Sequence, residues 1–127
     1  GGEQLRPNIH ILDMVRVYEL LISENKNKIS GKIFNAGYEN QSVNNLALIV
    51  KKIVGNDVKI LKKASNDNRS YHISSEKIKK ELGFNTVKTV EDAVMDLKNA
   101  FESGLLKNTL NDDRYFNINK MKKISLK

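Results

Sequence analysis

The sequence predicts an α/β fold, a small domain of mixed short strands and about four helices. Short extended segments alternate with amphipathic ones along the chain, the order expected of α/β layers. The amphipathic segments repeat apolar residues at three- and four-residue spacing, and several run into a glycine (Gly55, Gly83, Gly104) suited to the turn past a helix end. With 39% hydrophobic and 29% charged residues among 127, the chain has the balance of one globular domain able to bury a core.

Gly1 to Leu5 is too short to build anything alone. Pro7 disfavours helix at the residue before it and so holds Arg6 extended. Ile9-His10-Ile11 alternates as a short strand should, and Asp13 stands where a helix N-cap is wanted. A helix is expected from about Met14 to Glu24, with only Arg16, Glu19 and Ser23 interrupting its apolar surface. A helix apolar around most of its circumference needs cover on more than one face. Either its own domain wraps it, or a neighbour is missing.

Asn25 to Gly31 reads as a polar turn, Lys32 to Gly37 as a strand, and Tyr38 to Gln41 as a loop. Ser42 then caps a second helix whose apolar face includes Val43, Leu46, Ile49, Val50 and Ile53, and Asp57 to Leu61 reads as another strand. The stretch from Asn66 to Phe84 organises the rest. A polar loop leads into a short strand, Tyr71 to Ile73, and Ser74 or Ser75 caps a helix with Glu76 in its first turn. That helix presents Ile78 and Leu82 on one face and stops at Gly83.

Thr89 and Asp92 resemble a capping box for a last long helix, with Val90, Ala93, Val94, Leu97 and Phe101 as its buried stripe. Beyond Gly104 the pattern loosens: Asn111 to Arg114 is a turn, Tyr115 to Ile118 a short strand or hook, and Arg114 pairs locally with its acidic neighbours. The expected organisation is a domain over 1–104 and a tail over 105–127, which packs on the domain, on a missing domain or on another subunit.

Several chemistries are excluded or disfavoured. Without cysteine there is no disulfide, thiolate metal site or cysteine nucleophile, in keeping with a reducing cytoplasm, the expected location. No apolar run approaches the roughly 20 residues of a membrane span, so no membrane partner is expected. The net charge of +7 is mostly lysine on helix polar faces and in the tail, not interleaved with the four tyrosines and four phenylalanines, which disfavours nucleic acid. His10 and His72 lack companions at metal-ligand spacing and are read as structural, so no metal site is expected. Gly37 stands alone, so the G-x-G-x-x-G dinucleotide fingerprint is absent, and Gly31-Lys32 is followed by Ile33, so a phosphate loop is absent too. No tyrosine precedes a lysine by four residues, and no catalytic residue is assigned.

Arg6-Pro7-Asn8-Ile9-His10-Ile11-Leu12-Asp13, Ile33-Phe34-Asn35-Ala36-Gly37, Asp67-Asn68-Arg69-Ser70-Tyr71, Lys77 to Phe84 and Thr89 to Ala93 recur in an order and spacing that resemble a known family. Together they look like the C-terminal part of an NAD-dependent epimerase/dehydratase, one of the extended short-chain dehydrogenase/reductases that act on nucleotide-diphosphate sugars. The resemblance runs to about residue 103. It implies a small α/β domain that closes over the nucleotide sugar, here without the N-terminal Rossmann domain that carries NAD or NADP and the catalytic Tyr and Lys. It places Arg6 and Arg69 on the diphosphate, Asn8 on the same pocket wall, and Asp67 toward the ribose. No cofactor is expected in this chain itself. The implied partners are the nucleotide sugar, the Rossmann domain and, among assemblies, a homodimer. Two other classes stay open: a noncatalytic binding domain that keeps the fold, and a basic nucleic-acid-binding module.

Overall fold

The computed structural model describes residues 1–64, 66 and 69–125. Among these residues the fold is mixed α/β, with six α-helices and one two-stranded antiparallel sheet. The elements are β1 (Leu5–Asn8), α1 (Ile11–Ser23), α2 (Lys26–Ile29), β2 (Glu39–Ser42), α3 (Val43–Val54), α4 (Glu76–Leu82), α5 (Val90–Glu102) and α6 (Asn117–Lys123). A 3₁₀ turn, Asp113–Tyr115, precedes α6. Two compact units share the chain, Gly1–Asp96 and Leu97–Lys127, so the division falls inside α5.

The strand at the front of the chain lies earlier than its apolar alternation predicts. β1 pairs with β2 in the register Arg6↔Gln41 and Asn8↔Glu39, while Ile11 already opens α1. Pro7, which has no N–H, is tolerated because an edge strand leaves half its backbone donors unpaired in any case. His10, not Asp13, caps α1: its Nδ1 accepts the Leu12 N–H at 3.1 Å. Asp13 turns inward instead and is fully buried. Its carboxylate accepts the backbone N–H groups of Val87 and Lys88, and Arg16 Nη1 donates to it at 2.6 Å. One side chain thus bolts the start of α1 to the segment leading into α5.

Lys32 to Gly37 and Asp57 to Leu61 form no strand, and the ladder partner of β1 comes from residues expected to be a loop and a cap. Phe34 and Ala36 are drawn onto the core, and the backbone of this segment is satisfied by side chains rather than by a neighbouring strand. Lys77 Nζ donates to the Ile33 carbonyl at 2.9 Å, and Ser75 Oγ both accepts from Gly37 N and donates to Gly37 O. Ser75 holds the N-cap position of α4 but spends its hydroxyl on Gly37, and Gly83 closes that helix in the left-handed region at φ 69°.

Tyr71 to Ile73 is not a ladder strand either, yet it is tethered along β1. Tyr71 N donates to Leu5 O at 3.1 Å, and Leu5 N donates to Ser70 Oγ at 3.0 Å. The Asn40 side-chain amide grips Ile73 from both sides, accepting its N–H at 2.9 Å and donating to its carbonyl at 3.0 Å. Val17, Ile78 and Phe84 form the buried centre, flanked by Leu20, Leu21, Phe34, Ala36 and Leu82. Full burial of a side chain such as Ile78 contributes about 1.5–3 kcal/mol.

Thr89 and Asp92 make the expected reciprocal cap, with Asp92 Oδ2 accepting Thr89 N and Thr89 Oγ1 accepting Asp92 N. The apolar stripe of α5 is not buried throughout: Leu97 and Phe101 are exposed. In the second unit, the residues expected as a strand or hook form the 3₁₀ turn and the start of α6. Asp112 caps that turn and holds Arg114 in the local ion pair the sequence points to, at 2.7 Å.

Candidate functional site

The site starts from the extended geometry that Pro7 imposes on Arg6. From β1 the Arg6 side chain reaches the polar loop: Nη1 donates to the Arg69 carbonyl at 2.6 Å and to the Leu5 carbonyl at 2.9 Å. The Arg6 guanidinium lies 5.4 Å from the centre of the Tyr71 ring, and the Arg69 guanidinium 5.9 Å from the same ring. One aromatic ring therefore gathers two cations from segments 63 positions apart. Each such contact contributes roughly 0.5–1 kcal/mol at an exposed site. A guanidinium fork has the planar, paired-donor shape that matches a phosphate or carboxylate, and two of them stand beside this one ring.

Asn8 sits two residues along β1 but is turned onto the backbone. Its amide donates to Arg6 O at 2.7 Å and to Glu39 O at 3.4 Å, bracing β1 against β2. It also lines a small cavity of about 80 Å³ with His10, Tyr38 and Val90. Asp67 lies outside the described residues.

A second concavity, about 270 Å³, lies between residues 37–40 and 73–76, and Tyr38, Glu39, Asn40, Ser74 and Glu76 are among its walls. None of Arg6, Asn8 or Arg69 lines it. Sequence reasoning did not find this cleft. Its one visible signal is Gly37, where an added Cβ would stand 2.7 Å from Ile73 Cδ1, so that a larger residue there would push the Ile73 side chain aside. Tyr71 was legible as part of a motif but not as the ring that gathers the arginines.

His10 is buried and structural. With Nδ1 accepting from Leu12, the ring proton belongs on Nε2, which lies 3.2 Å from Asp96 Oδ2 and donates to it. His72 is exposed, outside the core. Among the described residues no group of three His, Cys, Asp or Glu side chains is arranged to hold a metal. No described helix is long and apolar enough to cross a membrane.

Burial pushes the Asp13 carboxyl up. The hydrogen bonds from Lys88 N, Arg16 and Val87 N outweigh that and hold it below the usual aspartate value of 3.8. Asp92 is likewise held low, first by the Thr89 backbone and then by the Thr89 hydroxyl. These are scaffold carboxylates that stay ionised, and neither is poised for proton transfer near neutral pH.

No protein-family profile, curated protein or solved structure matches the chain.

Proposed function

We propose that this chain is the nucleotide-diphosphate-sugar-binding portion of an NAD-dependent sugar epimerase or dehydratase, with Arg6 and Arg69 taking the diphosphate. In this proposal Asn8 is the weaker candidate for the pocket wall and Asp67 the candidate ribose ligand by sequence position, and the redox chemistry belongs to a Rossmann domain bearing NAD or NADP. The observation that carries this reading is that Arg6, from β1, lies beside the same Tyr71 ring as its near neighbour Arg69. The hydrogen bonds from Arg6 Nη1 to two carbonyls set the orientation of its guanidinium before any ligand arrives, which lowers the ordering cost of binding.

The outer face of α1 supports the same reading. Ile11, Val15, Tyr18 and Ile22 repeat at four-, three- and four-residue spacing and are all exposed. Such a stripe is the width that one packed neighbour covers. A cofactor domain docked there would bury it and close over the diphosphate. The assembly is placed in the cytoplasm, and pairing of whole enzymes into a homodimer is compatible with it.

A thermal-shift panel of UDP-, GDP-, CDP- and dTDP-sugars tests the proposal. Stabilisation by one nucleotide series identifies the base. Silence from a well-folded chain, repeated with the Rossmann domain restored, removes the reading.

A further inference from the structure

The second unit carries an amphipathic surface that the diphosphate reading does not use. After Asp113 the sequence contains no carboxylate side chain, while Arg114, Lys120, Lys122, Lys123 and Lys127 follow. In α6 and its cap, Ile118, Met121 and Ile124 lie along one side and are 63%, 50% and 53% exposed. Helical spacing places Lys120 and Lys122 at the two margins of that apolar strip. Lys123 bonds Asp113, which ties α6 to the 3₁₀ turn, and the adjoining Tyr115 and Phe116 are also exposed.

We infer that α6, with Tyr115 and Phe116, is a docking surface for an anionic lipid bilayer, on which the helix lies in the plane of the headgroups. The charge pattern selects this occupant. A nucleic acid would use the lysines but leave Ile118, Met121 and Ile124 in water. A second copy of this chain would cover the apolar strip but bring like charge against like charge, since each copy carries +7. An anionic membrane surface satisfies both halves at once. Apolar side chains enter the acyl boundary, marginal lysines extend their stems to the phosphates, and aromatic residues settle at headgroup depth. This is contact with a membrane surface, not a span, and it is independent of what Arg6 and Arg69 bind.

The test is sedimentation of the full chain with vesicles of phosphatidylcholine alone, or with one-third phosphatidylserine, at low and physiological salt. Binding to the phosphatidylserine vesicles, at least tenfold stronger than to phosphatidylcholine, is expected. Lys120→Gln with Lys122→Gln should weaken it, at roughly fivefold per lysine, and flatten its salt dependence. Ile118→Ser with Met121→Ser should weaken it at least tenfold, whereas Ile118→Leu with Met121→Leu should retain it. Because the chain has no tryptophan, Met121→Trp gives a single reporter, whose emission should shift to the blue on phosphatidylserine vesicles. Failure to sediment, binding unchanged in the serine variant, an unshifted tryptophan, or tighter binding to an oligonucleotide than to the vesicles would each overturn the inference.

Discussion

Arg6 donates a hydrogen bond through Nη1 to the backbone carbonyl of Arg69, 63 positions away, at 2.6 Å. One arginine thereby sets the backbone position of the other, and Tyr71 lies within cation–π range of both. Arg6→Ala should therefore do more than remove one charge: it should loosen the loop that presents Arg69. Arg6→Lys keeps the charge but loses the planar fork, and should recover little of the ligand affinity. Amide hydrogen exchange at Ser70 and Tyr71 would report the loosening, with faster exchange in Arg6→Ala than in Arg69→Ala.

Asp13 offers a sharper stability test. Asp13→Ala leaves the Val87 and Lys88 N–H groups without their acceptor and removes the partner of Arg16, and should cost about 2 kcal/mol in denaturant unfolding. Its pH signature follows from the direction of its shift. A carboxyl held low in the folded state adds stability at pH values above its unfolded pKa, near 3.8, and loses it as pH falls through the folded pKa. Asp13→Asn should be less stable at neutral pH, with a shallower loss of stability below pH ~4. Equal acid sensitivity in both proteins would contradict this role.

Asn40 should matter although it is polar and lies on a strand. Asn40→Ala removes both bonds to the Ile73 backbone and should cost about 2 kcal/mol, while Asn40→Asp keeps the acceptor and should cost less. Thermal unfolding of the two variants ranks them.

The core gives the simplest expectation. Ile78 is fully buried among Val17, Phe84 and their neighbours, so Ile78→Ala should destabilise the first unit by about 2–5 kcal/mol. Ile22→Ala, on the exposed side of α1, should leave the stability of this chain nearly unchanged. Calorimetric unfolding would separate them.

α2 and α6 lie where a polar turn and a strand or hook are expected. The other four helices were legible because their apolar spacing and end residues agree, as where Ser42 and Gly55 bound α3 and Gly83 closes α4. The strands were not. β2 is Glu39-Asn40-Gln41-Ser42, four polar residues with no alternation to detect, and its pairing is specified by β1. Conversely, Lys32 to Gly37 looks strand-like because Phe34 and Ala36 reach the core, yet Lys77 and Ser75 satisfy the backbone that a ladder would otherwise claim. His10, not Asp13, caps α1, because the Asp13 carboxylate is engaged inside by donors from Val87, Lys88 and Arg16, two of them more than seventy positions away and invisible to a local reading. At the site, Arg6 and Arg69 could be picked out in sequence, but the ring that gathers them and the cleft walled by residues 37–40 could not, since both depend on long-range folding.

The most direct test of the central claim is a calorimetric titration of the chain with the stabilising nucleotide sugar, beside Arg6→Ala and Arg69→Ala. Charge-assisted bonds from each arginine to the diphosphate predict a loss of about 2 kcal/mol per variant, roughly thirtyfold in affinity, and a comparable loss with the nucleoside diphosphate alone. Unchanged affinity in both variants would contradict the account, because the ligand would then be bound without the two side chains that define the site.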